Sequence, residues 1–158
     1  MLKSILTQNL SNKNIKDICK LKDTYWKFGI DSQLNYFTKN INSNDIHNCY
    51  FLNSKLIGYT LLKIQSSLIK KKNIFFLHFD TLIVDKNFRR KKIGKKLMLF
   101  NNKKIQESRY ASLLICDENM KNFYIKNSWK IANDTYKTIN IYKKGFELMI
   151  FNEKSLIK

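Results

Sequence analysis

Residues 82–97 read Leu-Ile-Val-Asp-Lys-Asn-Phe-Arg-Arg-Lys-Lys-Ile-Gly-Lys-Lys-Leu, and this stretch decides the fold. An apolar strand ends at Val84, a basic loop follows over residues 89–92, and a helix begins near Ile93. The first N–H groups of a helix and the positive end of its dipole attract anions, and neighbouring cations add charge-assisted hydrogen bonds to phosphate. The stretch therefore predicts an anion site at a strand–helix junction, with a solvated, lysine-rich helix start as the alternative.

The strand before this junction is the most apolar of the chain. From Ile74 to Val84 both alternating faces are largely apolar, which is typical of a central strand covered on both sides. Two earlier strands and two turns are also predicted: strands over 49–52 and 56–62, a tight turn at Asn53-Ser54 between them, and a turn over 70–73.

The rest of the chain alternates between helical and extended patterns. Apolar residues at helical spacing predict helices around residues 15–26, 31–41, 93–105 and 119–124, the first capped by Ser11 or Asn12. Further strands are predicted over residues 3–8 and 111–116 and, in two pieces, between 129 and 151. The predicted order is β-α-α-β-β-β-α-β-α-β-β, a mixed α/β fold with helices on one sheet. No linker or repeat interrupts the sequence, so we predict a single domain over residues 1–158.

Composition bounds the classes of protein. The chain has 158 residues with 30 Lys and Arg against 12 Asp and Glu, a net charge of +18. Its 44% apolar content excludes a disordered charged tail, and it has neither an apolar run of transmembrane length nor the apolar stretch of a signal peptide. Three widely spaced cysteines form no disulfide framework. We expect a cytoplasmic protein whose charge either attracts anions or is a dispersed lysine-rich surface.

The strand–helix junction resembles the signature of the GNAT superfamily, the acetyl-CoA-dependent N-acyltransferases. That signature, Arg/Gln-x-x-Gly-x-Gly/Ala, maps onto residues 89–94, and its Val-x-x-x-Phe/Tyr-Arg lead-in maps onto residues 84–89. Gly94 matches the second glycine, whereas Lys92 occupies the position of the first. Because glycine permits positive φ, we expect Lys92 either to take ordinary helical angles or to distort the loop.

A second segment supports the same resemblance. Residues 119–129, Asn-Met-Lys-Asn-Phe-Tyr-Ile-Lys-Asn-Ser-Trp, are similar to the Asn-x-x-x-Phe-Tyr-x-x-x-Gly-Phe segment of the fourth GNAT helix, with Ser128-Trp129 replacing Gly-Phe. The resemblance implies a GNAT-like fold whose central twisted sheet is splayed between strands 4 and 5. It also implies acetyl-CoA as co-substrate, without a metal.

The resemblance further implies which residues contact CoA. In this family the loop amides hold the CoA pyrophosphate, and the main-chain N–H near Val84 polarises the thioester carbonyl. Tyr124 matches the tyrosine that protonates the leaving thiolate, with a core aromatic as the alternative. The implied CoA-binding residues are Leu82, Ile83, Val84, Arg89, Arg90, Lys91, Lys92, Ile93, Gly94, Lys95, Asn119 and Phe123.

His78 and Asp80 are polar residues in an otherwise apolar strand, and their spacing places them on one face. Several GNAT members place the residue that deprotonates the amine in this part of the strand. Neutral His accepts a proton near neutral pH, whereas Asp is a weak base that would orient the imidazole or anchor the substrate. We predict His78 as the base and Asp80 as its partner, against a hydrogen-bonded core His and an ion-paired Asp.

The resemblance places the acceptor pocket at the first two helices and the loops after them. Aromatic faces with a carboxylate suit a sugar or a small amine, although such rings are also common in cores. Asp45-Ile46-His47 has no further metal ligands at useful spacing, so no metal site is predicted. The implied substrate-binding residues are Tyr25, Trp26, Gln33, Tyr36 and His47.

Three functions follow from the sequence. The leading one is transfer of an acetyl group from acetyl-CoA to a primary amine (a small amine, an amino sugar or a protein amino group) by direct attack. A basic nucleic-acid- or ribosome-binding module would use the charge, but the standard recognition motifs are missing from the sequence. A GNAT protein that binds CoA without catalysis is the third. Beyond acetyl-CoA and the amine, we expect no membrane partner and a monomer or homodimer.

Overall fold

The computed structural model describes residues 1–156. Within them the element order is β1-α1-α2-β2-β3-β4-α3-β5-α4-β6-β7, which confirms the predicted order. None of the helices in this range has the length and apolarity needed to cross a membrane. The helices are α1 Asn12–Asp23, α2 Ile30–Asn40, α3 Ile93–Ser108 and α4 Glu118–Ile125, and the strands are β1 Leu2–Leu6, β2 Ile46–Leu52, β3 Lys55–Ile69, β4 Lys72–Val84, β5 Ser112–Cys116, β6 Lys130–Ile131 and β7 Glu147–Phe151.

The strands form one mixed sheet in the order β1-β2-β3-β4-β5-β7-β6. The pairs β1–β2, β2–β3, β5–β7 and β6–β7 are antiparallel. Strands β4 and β5 are parallel, and their register pairs Leu77 with Ser112 and His78 with Leu113, whereas five residue pairs join β5 to β7. The mixed α/β fold class is confirmed, and this short register lies where the splay was predicted.

The chain forms two compact units, and the first comprises Met1–Lys63 and Asp80–Phe100. Its main core packs α1 and α2 against the sheet around Ile18, Phe37 and Tyr59. Helix α1 begins with a capping box, in which Ser11 Oγ accepts from the backbone N–H of residue 14 at 3.1 Å, as the predicted cap requires.

A second core of this unit brings α3 against β3 at Gly58. A Cβ at Gly58 would lie 2.7 Å from Leu97 Cδ1 and 3.3 Å from Ile93 Cγ2. Real Cβ atoms do not approach this closely, so the contact between Ile57, Ile93 and Leu97 depends on a residue without a side chain at position 58. The start of α3 is therefore set close to the sheet.

The second unit comprises Ile64–Phe79 and the chain from Asn101 onward. Its core contains Phe76, Leu113 and Leu148 together with residues of the long connection between β6 and β7. Strands β3 and β4 each contribute residues to both units. The single domain over residues 1–158 stays a prediction.

Both predicted hairpin turns are made by left-handed residue pairs. Asn53 and Ser54 have φ of 45° and 62°, and Lys70 and Lys71 have φ of 47° and 66°. Two consecutive left-handed residues give the turn whose twist matches that of the flanking strands. The predicted end of β3 near residue 62 is wrong, because the strand continues through alternating exposed and half-buried residues to Ile69.

Candidate active site

The loop between β4 and α3 starts from a fixed point at Asp85. The Asp85 carboxylate accepts a hydrogen bond from the backbone N–H of Asn87 at 3.0 Å and pairs with Lys55 Nζ at 2.9 Å. Burial raises the pKa of Asp85, but the hydrogen bonds from Lys55 and Asn87 outweigh it and hold the pKa below its ordinary value. Its backbone N–H donates to the Ile57 carbonyl at 2.8 Å, which anchors the loop to β3.

Arg90 and Lys92 hold the left-handed backbone conformation, with φ of 60° and 59°. Lys92 directly precedes α3, and its carbonyl accepts a hydrogen bond from the Lys96 N–H at 3.0 Å. The expectation of ordinary helical angles is wrong, since Lys92 takes the left-handed conformation that glycine adopts most readily. Left-handed residues in a loop turn backbone N–H groups into a concavity that binds anions, and the first N–H groups of α3 have no partner within the helix.

The side chains around this concavity are cationic and exposed from Arg89 to Lys92. Arg89 Nε donates to the Val84 carbonyl at 3.2 Å, and its guanidinium carbon lies 5.9 Å from the centroid of the Tyr25 ring. Lys91 Nζ lies 5.3 Å from the centroid of the Phe88 ring. The loop therefore combines backbone donors with cations, as a phosphate requires.

The apolar residues predicted to contact CoA in this segment are core residues by their side chains. Ile83 is 4% exposed and packs with α1 and α2, and Ile93 packs with the partly buried Leu82 and Val84. These residues therefore present mainly backbone groups to a ligand. Lys95, by contrast, is an exposed cation in the first turn of α3.

The predicted acceptor aromatics lie on the α1–α2 loop and on α2. Tyr25 is 60% exposed and Tyr36 is 40% exposed. The rings of Tyr25 and Trp26 meet edge to face with their centroids 5.0 Å apart. Gln33 is buried, and its Nε2 donates to the Trp26 carbonyl at 2.9 Å. Gln33 therefore shapes the loop that presents the rings.

Lys22, which sequence reasoning missed, lies among these rings. Its Nζ is 5.0 Å from the Tyr36 ring centroid and 5.9 Å from that of Trp26. Burial lowers the pKa of Lys22, the Asp80 carboxylate opposes this effect, and the Lys63 cation adds to it. The signal available in the sequence was the spacing of Lys22 and Trp26, four residues apart and so on one helical face.

Asp80 lies within β4 and is partly buried. Its Oδ2 accepts a hydrogen bond from Thr81 Oγ1 at 2.9 Å. Burial raises the pKa of Tyr36, and the Asp80 carboxylate raises it further. Asp80 therefore contributes a negative charge to the same surroundings as Lys22 and the acceptor aromatics.

His47 is a core residue in this structure. It is fully buried, its Nδ1 lies 2.7 Å from the Tyr59 hydroxyl, and its Nε2 lies 2.8 Å from Thr7 Oγ1. Burial lowers the pKa of His47 to about 4, with a smaller contribution from the Lys22 cation. Because both ring nitrogens have protein partners, we leave His47 out of the acceptor site that was predicted to contain it.

In the second unit, Tyr124 packs within a group of aromatic rings. It is 8% exposed, and its ring centroid lies 6.2 Å from that of Phe79, 5.4 Å from that of Phe123 and 6.1 Å from that of Trp129. Burial raises the pKa of Tyr124, and the nearby Cys116 adds to the rise. Tyr124 therefore keeps its proton at neutral pH.

The end of α4 fixes the turn on which Tyr124 lies. The backbone N–H of Ser128 donates to the Ile125 carbonyl at 3.0 Å, and that of Trp129 donates to the Tyr124 carbonyl at 3.1 Å. Ser128 is left-handed, with φ of 70°. These are the bonds of a Schellman motif, in which the residue at Ser128 is usually glycine.

Asn102 of α3 holds this turn from outside. Its Oδ1 accepts a hydrogen bond from Trp129 Nε1 at 2.9 Å, and its Nδ2 donates to the Asn127 carbonyl at 2.8 Å. The sequence carried no sign of this role, because an asparagine within a helix is usually exposed.

The remaining predicted residues of this unit are placed as follows. His78 lies in β4 opposite Leu113 and is partly buried. Asn119 is exposed in the first turn of α4, and Phe123 is partly buried one residue before Tyr124.

Residues 22–141 match the family model of the GNAT acetyltransferase domain. The chain belongs to this family. No curated protein sequence matches the chain.

Solved structures share the GNAT fold over almost the whole chain. Escherichia coli ElaA has a TM-score of 0.70 at 14% identity, covering 95% of this chain and 97% of that chain. An aminoglycoside 6'-N-acetyltransferase complexed with coenzyme A has a TM-score of 0.70 at 15% identity, covering 94% and 96%. The KacTA–DNA complex has a TM-score of 0.64 at 16% identity, covering 99% and 96%. At these identities the likeness concerns the fold alone.

At two positions where the GNAT motifs carry glycine, this chain has another residue in the left-handed conformation that glycine adopts readily. Lys92 and Ser128 stand where glycines are usual, and both are left-handed, with φ of 59° and 70°. A left-handed non-glycine residue costs roughly 1–2 kcal/mol. Both residues therefore cost some stability relative to glycine.

One groove of the protein lies apart from the predicted site residues. A groove of about 400 Å³ lies beside α1 and the β2–β3 turn, and its lining mixes Lys13, Lys20 and Lys55 with Asp17 and Asp85. None of the residues predicted to act in catalysis, to bind CoA or to bind the acceptor lines this groove.

Among residues 1–156, no three His, Cys, Asp or Glu side chains are grouped as metal ligands would be.

Proposed function

We propose that this GNAT protein is an acetyl-CoA-dependent N-acetyltransferase that transfers the acetyl group to a primary amine by direct attack. The observation that carries the proposal is the left-handed backbone of Arg90 and Lys92 immediately before α3. A nest of backbone donors at a helix start, surrounded by exposed cations, suits the CoA pyrophosphate. The CoA complex of a neighbour with the same fold supports this choice of ligand.

The CoA contacts follow from the placement of each residue. Backbone N–H groups of the loop and of Ile93, Gly94 and Lys95 would hold the pyrophosphate, with Arg90, Lys91 and Lys92 supplying charge. The main chain near Val84 would polarise the thioester carbonyl. Arg89 would join the phosphate contacts while still bonded to the Val84 carbonyl. Asn119 and Phe123 are proposed to contact CoA from α4.

The proposed reaction balances without a further cofactor. The amine loses a proton, with His78 as acceptor and Asp80 as its partner or as the substrate anchor. The amine nitrogen then attacks the thioester carbonyl, the oxyanion collapses, and the C–S bond breaks. The nitrogen releases its second proton through water, and this proton replaces the one that Tyr124 donates. Tyr124 donates its proton to the departing thiolate, which has a pKa near that of an ordinary thiol, about 8.5. The products are an N-acetyl amide and CoA.

A test of the CoA site uses the backbone of residue 92. Acetyl-CoA at about 100 times its Kd should stabilise the fold by about 2.7 kcal/mol, measured as a rise in Tm. Lys92→Gly keeps the left-handed conformation and loses one charge, whereas Lys92→Val makes that conformation unfavourable. We expect Lys92→Val to weaken acetyl-CoA binding far more than Lys92→Gly.

Lys103→Ala is the matched control, since Lys103 is an exposed cation about three turns farther along α3. Equal losses in Lys92→Val and Lys103→Ala would mean that charge alone attracts the ligand. No Tm shift at millimolar acetyl-CoA would overturn the proposal. Binding of acetyl-CoA without turnover on any amine would indicate a non-catalytic CoA-binding protein.

A second candidate function is nucleic-acid binding, favoured by the net charge of +18 and by one neighbour whose structure contains DNA. Lysines that contact phosphates make affinity fall steeply with salt concentration. Tight, salt-dependent binding of RNA or DNA, together with no binding of acetyl-CoA, would favour this function.

A further inference from the structure

The surface formed by Tyr25, Trp26 and Tyr36, which we call the aromatic face, is bordered by cations at two points. Lys22 Nζ lies 5.0 Å from the Tyr36 ring centroid and 5.9 Å from that of Trp26. The Arg89 guanidinium lies 5.9 Å from the Tyr25 ring centroid. The face predicted to receive the acceptor is therefore electropositive at its edges.

The rings orient these cations without neutralising them. An aromatic face attracts a cation through its quadrupole, but it has no net charge. The Lys22 ammonium has three N–H donors and the Arg89 guanidinium has five, and of these Arg89 Nε is used by the Val84 carbonyl. Since Arg89 is assigned to the CoA phosphates, the N–H donors of Lys22 are the ones that suit an oxyanion of the acceptor.

Charge near Lys22 is also unbalanced toward positive. Two cations, Lys22 and Lys63, act on one another here against the carboxylate of Asp80. Lys63 is itself only 8% exposed, so water screens its charge poorly. An anion arriving beside Lys22 would supply the missing negative charge, whereas a polycation would add to the repulsion.

We propose that the acceptor is a small amine that also carries a carboxylate or a phosphate, bound with its anion against Lys22 and its amine toward Asp80. This rests on the proposed acetyltransferase function and names its substrate class. The Trp26 and Tyr36 rings would contact the apolar or sugar part of that acceptor. Polyamines and other acceptors with several positive charges are excluded by the same arrangement.

The first experiment compares amines that differ only in the anionic group. L-phenylalanine is paired with phenethylamine, and D-glucosamine 6-phosphate with D-glucosamine, with spermidine as the polycation. CoA release is measured with acetyl-CoA present in excess. We expect kcat/KM to be at least about tenfold higher for the anionic member of one pair, a preference of about 1.4 kcal/mol. The pair that responds identifies carboxylate or phosphate.

The second experiment removes the charge of Lys22. Lys22→Met keeps the aliphatic stem and should raise KM for the anionic acceptor about tenfold more than it raises KM for the neutral partner. Lys22→Arg should retain most of the affinity. Lys16→Met is the control, because Lys16 is an exposed cation on the same helix.

Each outcome bears on the proposal. Preference for the neutral amine or spermidine, or equal KM changes for both members of a pair in Lys22→Met, overturns it and leaves the acetyltransferase function standing. A Tm shift with acetyl-CoA but neither turnover nor binding of the anionic amines also overturns it. If acetyl-CoA does not bind, the proposed acetyltransferase function is wrong. The acceptor proposal then depends on whether anionic amines alone raise Tm in the wild type and not in Lys22→Met.

Discussion

The hydroxyl and the ring of Tyr124 can be separated by experiment. Its ring packs with Phe79, Phe123 and Trp129, and only the hydroxyl can donate a proton to a thiolate. Tyr124→Phe should lower kcat about 10²–10⁴-fold while Tm and the Kd for acetyl-CoA change little. Tyr110→Phe, at a partly exposed tyrosine, is the control. Wild-type turnover in Tyr124→Phe would assign Tyr124 to the aromatic core alone.

His47 should make stability depend on pH. Its pKa is lowered from 6.5 to about 4 in the folded protein, so below pH 6.5 the unfolded chain binds a proton that the folded chain does not. The free energy of unfolding should therefore fall as pH drops from 6.5 toward 4, by on the order of 3 kcal/mol. Urea unfolding between pH 7 and pH 5 measures this slope, before most carboxylates titrate.

His47→Gln provides the comparison for that slope. It should be less stable than the wild type at pH 7, because the hydrogen bonds to Thr7 and Tyr59 are altered, and its stability should vary less between pH 7 and pH 5. Equal slopes in the two proteins would show that His47 can be protonated without unfolding.

The role of a single residue was predictable from the sequence where its neighbours are local, and was not where its partners are distant in sequence. The junction at residues 89–94 was predictable because one short segment contains the strand end, the cations and the helix start. The buried position of His47 was not, because its partners come from elsewhere in the chain: Thr7 from the 3₁₀ turn after β1 and Tyr59 from β3. Lys22 was missed because a lysine on an amphipathic helix is usually solvated.

Among the elements, the end of α4 depends on a side chain of α3. Asn102→Leu would leave the Trp129 indole N–H and the Asn127 carbonyl without a hydrogen-bond partner in a buried place. We expect it to lower the free energy of unfolding by about 3 kcal/mol, measured by urea unfolding. Asn102→Asp keeps the acceptor for Trp129 but places a buried carboxylate against the Asn127 carbonyl oxygen, so it should cost at least as much.

Asn122→Leu is the control for that series. Asn122 is exposed on α4, and surface substitutions of this kind usually change stability by less than about 0.5 kcal/mol. A loss in Asn102→Leu no larger than in Asn122→Leu would contradict the importance of the contact.

The order of elements was predictable, whereas their ends were less so. Apolar periodicity identified β4 and α3 because both are buried over most of their length. Strand β3 was predicted too short, since residues after Leu62 carry few apolar side chains and are ordered as part of the sheet. Strand β6 is only Lys130–Ile131, because the chain then turns into a loop and the short 3₁₀ helix Asp134–Thr138.

At the scale of the whole molecule, the chain has few glycines and places other residues in left-handed conformations, which strains the backbone. The chain has four glycines, and nine non-glycine residues take positive φ among residues 1–156. Two of these form the β3–β4 turn, Lys70 and Lys71. Replacing them by Asn-Gly should raise the free energy of unfolding by about 1–2 kcal/mol, since this pair adopts the turn with little strain.

The control for this double substitution is Lys143→Asn with Lys144→Gly. It removes the same two charges at residues that are not left-handed, so it should give no gain in stability. Thermal unfolding of both variants separates the two causes. An equal gain at both places would assign the effect to the reduced net charge.

Because α3 lies so close to β3, a substitution at position 58 would change the affinity for acetyl-CoA without altering any group that touches this ligand. A methyl group added at Gly58 would force the Leu97 side chain to shift and would push Ile93 by a few tenths of an ångström. Because Ile93 is the first residue of α3, that displacement would be passed to the N–H groups proposed to hold the pyrophosphate. The residue at position 58 would thus be constrained by distance rather than by the chemistry of the ligand.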